Sequence, residues 1–124
     1  MQWKFAGGKP VYLQIMEQLR GAILVGEFQP GARIPPVREF AAQAQVNPNT
    51  MQRALLELEG EGLLITDGTV GRYVTRDAAV LEDMRKTATG AVIRGAAAQF
   101  RAMGLSMRQA ALLLVQLEEE EENG

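Results

Sequence analysis

The pair Asn47-Pro48 fixes where a helix begins, and the residues after it fix which way that helix faces. Asn47 is a good N-cap, because its short side chain accepts a hydrogen bond from a free N–H group of the first turn. Pro48 falls at the first helical position, where its missing N–H costs nothing and its fixed φ suits a helix. Met51, Ala54, Leu55 and Leu58 lie at 3/4 spacing and make an apolar stripe. Asn47, Asn49, Thr50, Gln52 and Arg53 stay off that stripe. They are hydrogen-bonding groups of the kind that read nucleic-acid edges and phosphates. Taken alone, the stretch fits an ordinary polar helix surface equally well.

The flanking segments add context. Residues 1–9 read as irregular, with Trp3 and Phe5 as a short strand or a hydrophobic arm. Lys9-Pro10 opens a first helix carrying Tyr12, Ile15, Met16, Leu19, Ile23 and Leu24 at helical period, and Gly26 closes it. Gln29-Pro30-Gly31 is a turn, and Arg33-Ile34-Pro35-Pro36 is extended because each proline disfavours helix before it. Pro36 starts a short helix, with Val37, Phe40, Ala41 and Ala44 inward, that ends near Gln45. Helix three ends at Glu61-Gly62, and strands at 63–66 and 72–75 enclose a loop at 67–71. This order describes a winged helix-turn-helix, with the hairpin as wing.

Residues 78–124 differ in character. Ala78 to Met103 is an alanine-rich helix, Gly104 caps it, and Ser106 with Gln109 forms a capping box for a last helix. Leu112, Leu113, Leu114, Val115 and Leu117 are too many for one stripe. Burial against a second copy explains them, with Leu81, Met84, Ala88, Ala91, Val92, Phe100, Leu112, Leu113 and Leu117 as the expected dimerisation residues. The alternative is that the pair folds back on its own N-terminal domain. The expected fold class is mainly α (α+β): a winged helix-turn-helix domain over 1–77, then an antiparallel two-helix dimerisation region with an acidic tail over 78–124.

Composition excludes several chemistries. The 124 residues contain no cysteine and no histidine, which removes disulfides, thiolate or imidazole metal ligands and the commonest nucleophile–base pairs. The acidic residues are dispersed or run together from Glu118 to Glu122, and no phosphate-cradling glycine loop occurs. No catalytic residue, metal site or cofactor is expected, and the chain is read as not an enzyme. No apolar run is long enough to span a membrane, and a cytoplasmic location is expected. The net charge of −2 does not itself point to nucleic acid, although residues 1–77 balance eight Lys and Arg against eight Asp and Glu.

Six blocks in order carry a resemblance: Pro10 to Ile15, Gly26 to Gly31, Arg33 to Ala41, Val46 to Ala54, Leu58 to Leu63, and Gly71-Arg72-Tyr73-Val74. Over residues 10–76 the chain resembles the N-terminal domain of GntR-family bacterial transcriptional regulators. The short tail and the Asn-Pro-Asn-Thr start resemble the YtrA-type subfamily, whose small C-terminal region serves dimerisation. The chain departs from the pattern at Pro36, where the family usually has Ser, at Pro48 and Gln52, where many members have Arg, and in the wing. The large effector domain of other subfamilies is not expected in the short tail at 78–124.

The resemblance implies a sequence-specific DNA-binding regulator of the repressor kind. It would act as a homodimer on a palindromic double-stranded operator. The recognition helix, about 47–61, would enter the major groove beside a wing at about 63–76. The expected DNA-binding residues are Arg33, Arg38, Asn47, Asn49, Thr50, Gln52, Arg53, Thr69, Gly71 and Arg72. Asn47 has a second reading as a cap only, Arg38 as the partner of a neighbour such as Glu39, and Arg72 as a solvated strand end. Tyr12 and Gln14 fit core and hydrogen-bonding roles as well as DNA contact. A small-molecule effector, acting between the helix pair and the winged domain, is left open. The competing class is a winged-helix protein–protein interaction module that binds no DNA.

Overall fold

A computed structural model describes residues 1–69 and 71–124; Val70, which falls in the expected wing loop, lies outside the described residues. The elements are α1 (Val11–Leu24), α2 (Val37–Ala44), α3 (Pro48–Gly60), β1 (Leu64–Asp67), β2 (Gly71–Val74), α4 (Ala78–Ala102) and α5 (Met107–Asn123). They form two compact units, Met1–Arg85 and Lys86–Gly124, so the first extends past the expected boundary at residue 77.

In the first unit the local signals act as read. Gly26 and Gly62 take φ of +83° and +78° just beyond α1 and α3, a left-handed conformation that costs glycine least. Asn47 caps α3 with its side chain, and Pro48 stands in the first turn. Between α2 and α3 the chain turns on Gln45, whose φ of 58° is left-handed without a glycine. Its backbone N–H donates to Ala42 O, and that of Val46 to Ala41 O, so the tight link is held by α2 itself.

β1 and β2 pair antiparallel, with Leu64 opposite Val74 and Asp67 opposite Gly71. The extended segment around Arg33 lines the other side of β2. Gly31 N–H donates to Val74 O, Val74 N–H to Ala32 O and Ile34 N–H to Arg72 O, so β2 is central. By two-residue alternation, Ile34, Leu64 and Val74 point to one side, and all three are buried. With Ile15, Leu19, Phe40, Met51, Ala54, Leu55 and Leu58 they form one core.

The N-terminal arm is part of this unit. Trp3 meets Phe40 edge-on at 5.3 Å and stacks on Phe5. The Gln14 side chain accepts from Ala6 N–H and donates to Ala6 O and Lys9 O, while the Gln18 amide exchanges both bonds with the backbone of Lys4. These two α1 amides stand in for a neighbouring strand. Gln14, buried, has a structural role.

The start of α4 also belongs here. The Asp77 side chain accepts from Ala79 N–H, and Thr75 N–H donates to Leu63 O, which fixes the chain where α4 begins. Leu81 and Met84 then pack against the winged core. Both are among the expected dimerisation residues; each is partly buried against the core of its own unit.

The second unit has little core of its own. Only Ala97 and Ala110 are buried among its described residues. The capping box forms as expected, with the Ser106 side chain accepting from Gln109 N–H and Gln109 returning the bond to Ser106 N–H. Val92, Ile93, Leu112, Leu113, Leu114, Val115 and Leu117 are all at least half exposed. No helix of the described residues is long and apolar enough to cross a membrane.

Candidate nucleic-acid interface

The site is built on α3. Met51, Ala54, Leu55 and Leu58 are completely buried, so this helix has one fixed orientation. At about 3.6 residues per turn, Asn49, Arg53 and Leu56 fall on the side away from that stripe. All three are exposed. Gln52 flanks them toward the side of Glu59, and Thr50 lies on the opposite flank; both are half-buried. The expected group therefore divides into an outward row and two flanks.

Asn47 is engaged as a cap, its Oδ1 accepting from Asn49 N–H at 2.8 Å. Arg53 is also placed. Its Cζ lies 3.8 Å from the centroid of the Tyr12 ring, a cation–π contact that fixes a long side chain. Tyr12 is half-buried against the core, so the contact links α1 to the outward row of α3. Arg38 is exposed in the first turn of α2.

The wing departs from expectation at Arg72. It lies on the same side of the sheet as Leu64 and Val74, toward α3. Its Nε donates to Glu59 Oε1 at 2.7 Å, with the two side chains only 15% and 21% exposed. The Thr66 hydroxyl donates to the same oxygen. Arg72 therefore ties the wing to the recognition helix instead of projecting as a solvated strand end. Glu59→Ala is expected to leave this guanidinium half-buried without its partner and to cost about 1–3 kcal/mol in thermal or denaturant unfolding. An unchanged midpoint would show that the pair holds nothing.

A different cation stands beside the wing, at the loop end of β2. Arg33 is exposed, bridges Tyr73 through its backbone, and places its guanidinium beside Gly71, with Nε 3.6 Å from where a Cβ would stand. At the tip the Asp67 carboxylate accepts from Thr69 N–H and from the Thr69 hydroxyl, a local turn that shapes the loop. Two other ion-paired cations of this unit, Lys9 with Glu17 and Arg20 with Glu61, lie elsewhere.

The structure thus groups Asn49 and Arg53 on the outward side of α3, with Gln52 on its flank. Arg33 and Gly71 meet at the loop end of the wing, while Asn47 and Arg72 serve the frame. Sequence reading missed Glu59 and the platform role of Tyr12; their partners are distant in sequence, and no local pattern marks them. Among the described residues no group of acidic side chains is arranged to hold a metal ion.

Comparison with known proteins bears on the family and the fold. Residues 11–74 match the family described as bacterial regulatory proteins, gntR family. The chain is 34% identical over 109 residues to the HTH-type transcriptional regulator YhcF of Bacillus subtilis (strain 168), covering 88% of this chain and 90% of that one. It is 41% identical over 69 residues to the HTH-type transcriptional repressor YtrA of the same organism, covering 56% of this chain and 53% of that one. Its fold matches a GntR family transcriptional regulator from Listeria monocytogenes with a TM-score of 0.83 at 27% identity, over 90% of this chain and 98% of that one. The AraR DNA-binding domain, solved in complex with operator ORX1, matches with a TM-score of 0.55 at 28% identity, over 60% of this chain and 96% of that one. The chain belongs to the GntR family of bacterial transcriptional regulators and is similar to its YtrA-type members.

Proposed function

We propose that the protein is a homodimeric repressor whose two α3 helices enter successive major grooves of a palindromic operator, about 34 Å apart. The observation that carries this reading is the outward row of α3. A helix completely buried along one stripe presents Asn49 and Arg53 on its other side with Gln52 on the flank, beside a wing that carries Arg33 next to Gly71. Amides and guanidinium groups are the donors and acceptors that match base edges, and the exposed Arg33 and Arg38 suit phosphate. The similarity to a domain solved on its operator supports the same placement. In the second unit, the exposed apolar residues of α5, with Val92 and Ile93 of α4, supply the surface for a second copy.

The test is binding to duplex DNA from the promoter region of the protein's own gene, measured by fluorescence anisotropy at increasing salt. With few free cations on the face, affinity is expected to fall steeply. Arg33→Ala and Arg38→Ala are each expected to weaken binding at all sequences and to lower the salt slope by about one unit per protomer. If neither changes the slope, the contact face is misplaced. A dimer that binds no duplex at low salt would favour the protein–protein interaction module instead.

A further inference from the structure

We propose that Arg53 is the guanine-reading residue of the recognition helix and that Tyr12 of α1 is its positioning residue. The proposal rests on the DNA-binding reading above and assigns the specificity of that same site.

Three observations converge. Arg53 lies on the outward side of α3, opposite the buried Met51, Ala54, Leu55 and Leu58, and one turn after the exposed Asn49. Its guanidinium sits over the Tyr12 ring at 3.8 Å. The other exposed arginines of the face, Arg33 and Arg38, stand on the segment beside β2 and on α2.

A guanidinium in a cation–π contact can keep an N–H edge for another partner. Two parallel donors on that edge match O6 and N7 of guanine in the major groove. A flexible arginine would lose several rotatable bonds on docking, whereas one already resting on an aromatic ring loses less. The ring itself is steady, because Tyr12 packs against the core. The same contact explains how a base-reading arginine is kept from drifting to the nearest phosphate, where it would carry no sequence information. Lysine cannot replace it, since a point charge lacks the planar fork.

The experiment is selection of bound sequences from a randomised duplex pool by the full-length protein, followed by affinity and salt-slope measurements on the selected site. Wild type is expected to select a guanine at one position in each half-site. Arg53→Ala is expected to erase that preference, reducing discrimination at the position by roughly 10- to 100-fold, and to leave the preferences at other positions in place. Arg53→Lys is expected to lose the guanine preference too. Tyr12→Leu is expected to relax the same position, while Tyr12→Phe, which retains the ring, keeps it. A thermal midpoint close to wild type for Tyr12→Phe and Arg53→Lys establishes that folding is not the cause.

Several results overturn the proposal. One is a wild-type base profile in Arg53→Ala. Another is Arg53→Lys retaining both profile and affinity, which identifies a phosphate contact. A third is Tyr12→Phe relaxing the position as much as Tyr12→Leu, which assigns the effect to the hydroxyl. Wild-type protein that selects no sequence at all defeats the DNA-binding reading itself, a distinct failure.

Discussion

Replacing Leu113 and Leu117 together with aspartate is expected to convert a dimer into a monomer and to lower operator affinity by about 10²- to 10⁴-fold. That is the range lost when a second linked binding event no longer acts at high effective concentration. The physical cause is direct. Both side chains are about half exposed, as are Leu114 and Val115 beside them, and α5 buries only Ala110 among its apolar residues. An isolated helix of this length gains little from propensity and needs its apolar side covered. Aspartates on that side would have to be desolvated in any packed interface. Sedimentation velocity gives the mass, and anisotropy on a full operator and on a half-site gives the affinity. The idea fails if the variant remains dimeric, or if the wild-type chain is itself a monomer at micromolar concentration. The half-site serves as control, since an intact winged unit should bind it equally in both proteins.

The second large effect is expected at Phe40. It is 1% exposed and lies at the centre of an aromatic group, with Trp3 edge-on at 5.3 Å and Phe28 edge-on at 6.1 Å. Phe40→Ala removes the ring from a site where the arm, the α1–α2 connection and α2 meet, and the surrounding groups cannot all collapse into the space. A cost of about 3–5 kcal/mol is expected for such a buried phenylalanine. For a unit of this size each kcal/mol moves the thermal midpoint by about 4–8 °C, so a fall well above 10 °C should be read by calorimetry or circular dichroism. A fall of only a few degrees would show that the arm does not close this core. DNA binding should weaken in proportion, because α2 sets the position of α3.

Much of the winged unit, and the start of α5, is legible in the sequence because these elements begin and end through short-range chemistry. Asn47 with Pro48, Gly26, Gly62, and Ser106 with Gln109 each act within one helical turn, where the chain itself brings donor and acceptor together. The buried stripe of α3 follows from spacing alone, and with it the set of residues left outside. The extended segment at Arg33–Pro36 follows from proline geometry, although its pairing with β2 does not.

The candidate site divides along the same line. That Asn49, Gln52 and Arg53 stay off the core was fixed by sequence, since periodicity is a local property of the helix. Which arginine is held, and by what, was decided by tertiary structure. Arg72 meets Glu59 only because the sheet folds against α3, and Arg53 meets Tyr12 only because α1 lies beside it. Leu81 and Met84 are expected at a dimer surface from their apolar character alone; only the path of the chain after Thr75 also brings them, partly buried, against the winged core. Caps and periods are set within a few residues and are written into the sequence. Ion pairs, ring contacts and the assignment of an apolar side to one partner or another depend on segments brought together by folding, and only the folded chain decides them.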